Sequence, residues 1–224
     1  MERKKLLDYI SEKLIEQKKT KNNCLIVGIE GQGCCGKSVF ADDLKNVLAA
    51  KGFKADIVSI DYFCNKRALR YSNEFSLPKQ HYLKNFNYEY FENCILKKAK
   101  DLGHLFIDEY VLNAETDEFD KKLEISLDEQ SILIAEGVFL YRNEFKKYYD
   151  YSILLQVGED EQLKRATQRD FAKNGSIEVL MNKYLNRYIP AYHLYEELNN
   201  PLDFVDLILD NTNVKSPIII KEIK

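Results

Sequence analysis

Eight residues, Gly31-Gln32-Gly33-Cys34-Cys35-Gly36-Lys37-Ser38, match the pattern G-x-x-x-x-G-K-[ST], and few folds can present that pattern usefully. Each residue type has a physical task. Glycines at both ends let the backbone turn through conformations closed to side chains and approach a ligand closely. Successive N–H groups then point inward and cradle phosphate oxygens. Lys37 reaches toward the outer phosphates, and the Ser38 hydroxyl is a ligand for Mg2+. A helix starting here aims its positive end at the anion. The candidate nucleotide-binding set is therefore Gly31, Gln32, Gly33, Cys34, Cys35, Gly36, Lys37, Ser38 and Val39.

The flanks supply the context that such a loop requires. Leu25-Ile26-Val27-Gly28-Ile29 is a short apolar run, as a buried strand would be. After the loop, Phe40, Leu44, Val47 and Leu48 recur at helical spacing, and Gly52 follows as a helix stop. Strand, loop and helix together predict an α/β fold.

With 224 residues, the chain is long enough to bury about 70% of its unfolded surface. A net charge of −3 gives no general surface for polyanions, so nucleic acid is not expected as a partner. No run approaches the ~18 apolar residues of a membrane span. Met1-Glu2-Arg3-Lys4-Lys5 opens without the apolar core of a signal peptide. Five cysteines, Cys24, Cys34, Cys35, Cys64 and Cys94, are an odd number and contain no C-x-x-C, which points to reduced cytoplasmic thiols. Cys34 and Cys35 lie beside Lys37 near a helix start, a setting expected to favour thiolate at both.

Along the chain, residues 2–19 place Leu6, Leu7, Ile10, Leu14 and Ile15 on one helical face. Residues 55–60 read as a second strand, expected next to the P-loop strand and ending in Asp61. Ligands bind at the carboxyl ends of parallel strands, so Asp61 is expected near the phosphates. Residues 62–86 show no period and read as a long functional loop. Residues 88–102 follow as a helix with Phe91, Ile95 and Ala99 inward. Strand-like stretches at 104–112 and 123–127 flank a polar tip, a β-hairpin insert over 104–127. The buried strand 131–135 ends in Glu136, a carboxylate for Mg2+ alongside Ser38. Residues 151–157 form the next strand. A charged helix over 160–170 carries Arg165 and Arg169 on one face, two guanidiniums able to clamp a transferring phosphate. Residues 176–198 are helical with an interruption at Pro190, 205–209 form a last strand, and 210–213 a turn.

In this order, the segments resemble the uridine kinase / phosphoribulokinase family of P-loop kinases. Four features carry the resemblance. The loop from Gly28 to Ser38 resembles G-I-x-G-x-x-x-x-G-K-[ST], and Ser59-Ile60-Asp61-Tyr62-Phe63 resembles S-x-D-x-F-Y. Asn85-Phe86-Asn87 with Phe91 resembles N-F-D-x-P-x-x-F. Glu136-Gly137, Asp150 to Ile153, and Arg165 with Arg169-Asp170 resemble E-G, D-x-x-I and the lid's R-R-x-x-R-D.

The resemblance implies a P-loop NTP hydrolase-type domain over 1–224, with a five-stranded parallel sheet, helices on both faces and a helical lid over 160–176. It implies an ATP-dependent kinase, with ATP or another NTP as donor, Mg2+ as cofactor and a small hydroxyl compound as acceptor. Asp61 would be the general base, with Lys37, Arg165 and Arg169 completing the catalytic set. Asp61, Tyr62, Asn87, Tyr110 and Arg169 would bind the acceptor. Uridine or cytidine heads the acceptors, with a sugar or a vitamin precursor such as pantothenate as alternatives. Cys64 stands where the family prefers Tyr, Asn87 where uridine kinases place Asp, Ala166 in place of one arginine, and Lys173-Asn174-Gly175-Ser176 in place of R-G-R. These departures keep a degenerate, purely nucleotide-binding protein in view. A GTPase-like switch needs N-K-x-D, and both Asn65-Lys66 and Asn182-Lys183 lack its Asp. A homo-oligomer is compatible with the sequence.

Overall fold

The computed structural model describes residues 2–223, apart from the side chains of residues 172–174. The helices are α1 (Arg3–Lys19), α2 (Lys37–Ala50), α3 (Arg67–Arg70), α4 (Leu77–Lys84), α5 (Tyr88–Phe91), α6 (Lys97–Leu102), α7 (Glu159–Asn174), α8 (Ile177–Lys183), α9 (Ile189–Asn199) and α10 (Pro201–Phe204). The strands are β1 (Leu25–Glu30), β2 (Ala55–Ser59), β3 (Leu105–Asn113), β4 (Glu118–Leu127), β5 (Ile132–Gly137), β6 (Tyr151–Gln156), β7 (Leu207–Asp210) and β8 (Ile218–Glu222).

Every residue of β1 and β5 is buried, as continuous apolar runs covered on both faces must be. The sheet order is β2-β5-β1-β6-β7-β8. The first five strands pair in parallel, as expected, and β8 adds an antiparallel edge to β7. The sequence reading ends at the 210–213 turn and contains no β8. Pro217 precedes a run of only three isoleucines there, so no alternation announces the strand. It is tied to α1 by the Tyr9 hydroxyl, which donates to Glu222 at 2.7 Å, and by Lys13, which pairs with the same carboxylate.

One face of the sheet is covered by α1 and α2, with Leu6, Ile10, Leu14, Phe40, Leu44 and Leu48 fully buried. On the other face lies an aromatic core that includes Phe63, Phe86, Phe91, Phe139, Phe145 and Tyr195. Tyr141 stitches that core to the sheet: its hydroxyl lies 2.7 Å from the Gly28 carbonyl and accepts from Ile153 N–H at 2.9 Å.

The stretch 62–86 is more ordered than expected. It holds a 3-10 turn at Ile60–Phe63, then α3 and α4, because Tyr82 and Phe86 enter the aromatic core and Gln80 caps the Leu69 carbonyl at 2.6 Å. The 88–102 helix forms with a π turn, Glu92–Leu96, between α5 and α6. The expected hairpin is β3–β4, with β4 beginning five residues earlier than the sequence suggested. Its tip is strapped to α3, where Arg67 N–H donates to Asp117 Oδ1 at 2.7 Å. The region expected as a lid is α7 and the turn into α8; the side chains of Lys173 and Asn174 lie outside the described residues. Among the described residues no helix is long and apolar enough to cross a membrane.

Candidate nucleotide and acceptor site

The loop runs from the end of β1 into α2, at the carboxyl edge of the parallel strands where ligands of such sheets sit. Gly31 has φ +155°, and a Cβ there would lie 2.1 Å from the Leu155 carbonyl of β6. Gly36 has φ +95°, and a Cβ there would lie 2.7 Å from Asn211 Nδ2. That amide donates to the Cys35 carbonyl at 2.7 Å, so the loop is braced from β7's end. Cys34 holds φ +62°, a conformation that costs a side-chain residue about 1–2 kcal/mol. Its thiol faces the Tyr184 hydroxyl at 3.2 Å.

Lys37 is buried and donates to the Gln32 carbonyl at 2.9 Å. Burial opposes its charge, but Cys35, Glu136, Asp61 and Glu30 outweigh it and hold the amine above its ordinary pKa. Glu136 is opposite Ile29 of β1 and Ser59 of β2, with the Ser59 and Ser38 hydroxyls near enough to favour its charged form. Burial raises its pKa, against the pull of Lys37. Ser38 and Glu136 line a cavity of about 490 Å³ with Asp42 and Tyr62. Hard oxygen donors with one or two carboxylates suit Mg2+, which takes its remaining ligands from water and phosphate. The donor set therefore fits that ion.

Asp61 is near this centre, though not by the route expected. β5 intervenes between β1 and β2, so the Asp61 strand is not beside the P-loop strand. Asp61 instead sits in the 3-10 turn after β2, exposed, its N–H held by Ser59 Oγ at 3.3 Å. It lines a cavity of about 270 Å³ with Gly33 and Arg169. Arg169 pairs with Asp170 at 2.7 Å, and the Tyr184 hydroxyl donates to Asp170 at 2.9 Å. Cys34, Tyr184, Asp170 and Arg169 thus form one chain of contacts from the loop to α7.

Arg165 does not share that cavity. Its Nη2 donates to the Asn211 and Thr212 carbonyls at 2.9 Å each, its Nη1 to Cys34 and Cys35 carbonyls at 3.4 Å, and its Nε to Glu161 at 2.9 Å. A shared helical face does not bring the two arginines to one ligand. Arg165 instead borders a cavity of about 850 Å³ with Cys34, Gly36, Val39 and Asn211. Asn211 Oδ1 is buried there without a partner, an orphaned acceptor suited to an N–H of a bound base. That volume lies within the range of ~300–1,000 Å³ for ligand clefts, so the residues present fit a nucleotide.

Of the other expected acceptor residues, Tyr62, Asn87 and Tyr110 line an adjoining cavity of about 400 Å³ between the 3-10 turn and the hairpin. The Asn87 side chain accepts from Tyr90 N–H at 3.1 Å and so caps α5. Cys35 corrects the expectation of two reactive thiols: it is fully buried, and burial pushes its thiol up despite Lys37. All five cysteines are free.

Sequence reasoning passed over Glu30. It ends β1 fully buried and accepts from Tyr192 and Tyr195 hydroxyls at 3.0 and 2.7 Å. Burial raises its pKa to about 7, opposed by those hydroxyls and Lys37. A charge closing an otherwise apolar strand was the available signal.

Solved structures share this fold. A possible uridine kinase from Bacillus stearothermophilus is 21% identical, with 89% of this chain and 98% of that one covered at a TM-score of 0.66. A D-glycerate 3-kinase from Cryptococcus neoformans is 15% identical, with 96% and 99% covered at 0.66. No curated protein matches the chain significantly. Residues 26–213, most of the length, match the phosphoribulokinase / uridine kinase family model, and the chain belongs to that family of P-loop kinases.

Proposed function

We propose that the protein transfers the γ-phosphate of ATP to a hydroxyl of a small molecule. The observation that carries this reading is the buried Lys37 ammonium, held charged among Glu136, Asp61 and Glu30 at the mouth of the loop. Phosphoryl transfer asks chiefly for positioning and neutralised charge. Loop N–H groups and Lys37 hold the phosphates, and Arg165 and Asn211 shape the wall where the base would lie. Ser38 and Glu136 would hold Mg2+, which supplies neutralisation of phosphate charge when bound. Asp61 aims the acceptor hydroxyl and takes its proton. The hydroxyl oxygen forms the new P–O bond, and ADP leaves with the electrons of the broken one. Arg169, which lines the same cavity as Asp61, stabilises the moving phosphoryl group.

Uridine and cytidine are the acceptors named by resemblance, with sugars and pantothenate as alternatives. A panel of these with Mg–ATP tests the proposal. ADP formation that depends on an acceptor is expected. Slow hydrolysis indifferent to every acceptor, or no nucleotide binding, would overturn it.

A further inference from the structure

We propose that the acceptor carries an anionic group, a carboxylate or a phosphate, and that Arg70 seats it, an inference that rests on the kinase reading. Arg70 lines the same small cavity as Asp61 and Arg169. It is only 8% exposed. Its Nη2 reaches the Ala114 carbonyl at 3.3 Å and Asp117 Oδ1 at 3.4 Å, both at the hairpin tip, while its Nε has no partner. Behind it lies a second buried guanidinium. Arg187, 4% exposed, donates to the Arg70 carbonyl at 2.9 Å and stacks 4.0 Å over Tyr71, which also lines the cavity. Its Nε too is unpartnered, and no carboxylate pairs with it among the described residues.

Buried charges are ordinarily paired and fully hydrogen-bonded, because an unmatched guanidinium loses its hydration with nothing in return. Here Arg70 has one long contact to Asp117, and Arg187 has no carboxylate partner among the described residues. Among the other charges lining the cavity, Arg169 is paired with Asp170, and Asp61 also acts on the charge of Lys37. His81 does not add a positive charge, since burial together with Arg187 and Arg70 pushes it down to about 3. Of the three guanidiniums Arg70, Arg169 and Arg187, the last has no ion pair among the described residues, and the Nε of Arg70 is left over beside it. A neutral nucleoside or sugar could offer the Arg70 Nε an uncharged oxygen, whereas a carboxylate or phosphate accepts through a charge-assisted bond roughly twice as strong. At about 270 Å³ the cavity is also smaller than most clefts for drug-sized ligands, which suits a short acid or phosphorylated polyol.

The test is calorimetric titration of the full chain, with and without Mg–AMPPNP, by matched pairs. The pairs are D-glycerate and glycerol, pantothenate and panthenol, ribulose 5-phosphate and ribulose. Transfer from ATP is measured for the same compounds and for uridine. The anionic member of at least one pair is expected to bind about tenfold or more tightly than its neutral twin. The pair in which this occurs separates carboxylate from phosphate. Arg70→Gln should raise the KM of that acceptor about 10- to 100-fold with kcat changed less, and Arg70→Lys should retain part of the preference. Melting curves report folding, and Arg70→Lys carries the test if the Gln variant unfolds. Preference for the neutral twin or for uridine, no discrimination in any pair, no binding at millimolar concentration, or a preference unchanged by either variant overturns the anionic acceptor. Failure of Mg–AMPPNP to bind would fell the kinase reading, while the nucleotide-free titrations still decide the anion preference.

Discussion

The two sides of the phosphate loop are built differently. On the nucleotide side the contacts are numerous and mostly to backbone. Arg165 alone reaches four carbonyls, Asn211 braces Cys35, and Gly31 and Gly36 leave no room for a side chain. On the acceptor side, side chains meet other side chains, and buried nitrogens of Arg70 and Arg187 are left over. The first arrangement fixes the shape of the loop through backbone contacts. The second leaves two guanidinium nitrogens without partners, where the first leaves the Asn211 Oδ1. An arginine four residues from another on one helix can therefore brace the backbone, as Arg165 does, or line a cavity, as Arg169 does.

The largest expected effect lies on the acceptor side. Asp61→Asn keeps the shape and one acceptor oxygen but cannot take a proton. Single-turnover transfer should fall by about two orders of magnitude or more, with ATP affinity and melting temperature near normal. Asp61 is exposed in its turn, so lost stability with retained rate would make it a turn residue only.

Glu30 probes the boundary between the two sides. Its carboxyl, near 4.5 when unfolded, titrates at about 7 in the folded chain. The unfolded chain therefore releases this proton first, and the group's stabilisation declines as pH rises from about 4.5 to 7. By linkage the decline amounts to at most about 3 kcal/mol. Glu30→Gln should remove it, so that denaturation midpoints of variant and wild type diverge in the variant's favour on going from pH 5 to 8. Parallel pH curves for the two proteins would place the titration elsewhere.

Arg165→Ala should act as a frame mutation. Losing its contacts should cost about 2 kcal/mol, lowering the melting temperature by about 4–8 °C and raising KM for ATP. Arg169→Ala should lower kcat more than it raises that KM, with little change in melting because its side chain is 62% exposed. If the two variants exchanged these signatures, the division between frame and site would be wrong.

The smallest difference concerns the paired thiols. An alkylating reagent should label half-buried Cys34 first and leave Cys35 unreacted while the chain is folded. Mg–ATP should slow the labelling of Cys34, as followed by mass spectrometry of tryptic peptides. Equal labelling of both would show that the loop opens.

Local chemistry was legible wherever function and chain order coincide. Strand, loop and helix around Lys37 could be read because each needs only near neighbours: an apolar run, glycines, then helical spacing. Glu136 was readable for the same reason, as the carboxylate ending a buried strand. The Tyr62–Phe86 stretch was not, because α3 and α4 are held by the aromatic core and by the Gln80 contact to Leu69, not by periodicity. β8 was hidden because an edge strand needs only a partner.

By itself, then, the sequence determined the phosphate loop, the five parallel strands and the identity of the charged groups near them, since periodicity and backbone freedom are properties of contiguous residues. Tertiary structure decided which charges meet. It put β5 between β1 and β2, turned Arg165 toward backbone carbonyls and Arg169 toward the cavity, and buried Cys35 and Glu30. It also set Arg70 and Arg187 together across 117 residues of chain. The physical reason is that burial and pairing depend on what packs around a group, and those neighbours arrive from distant segments.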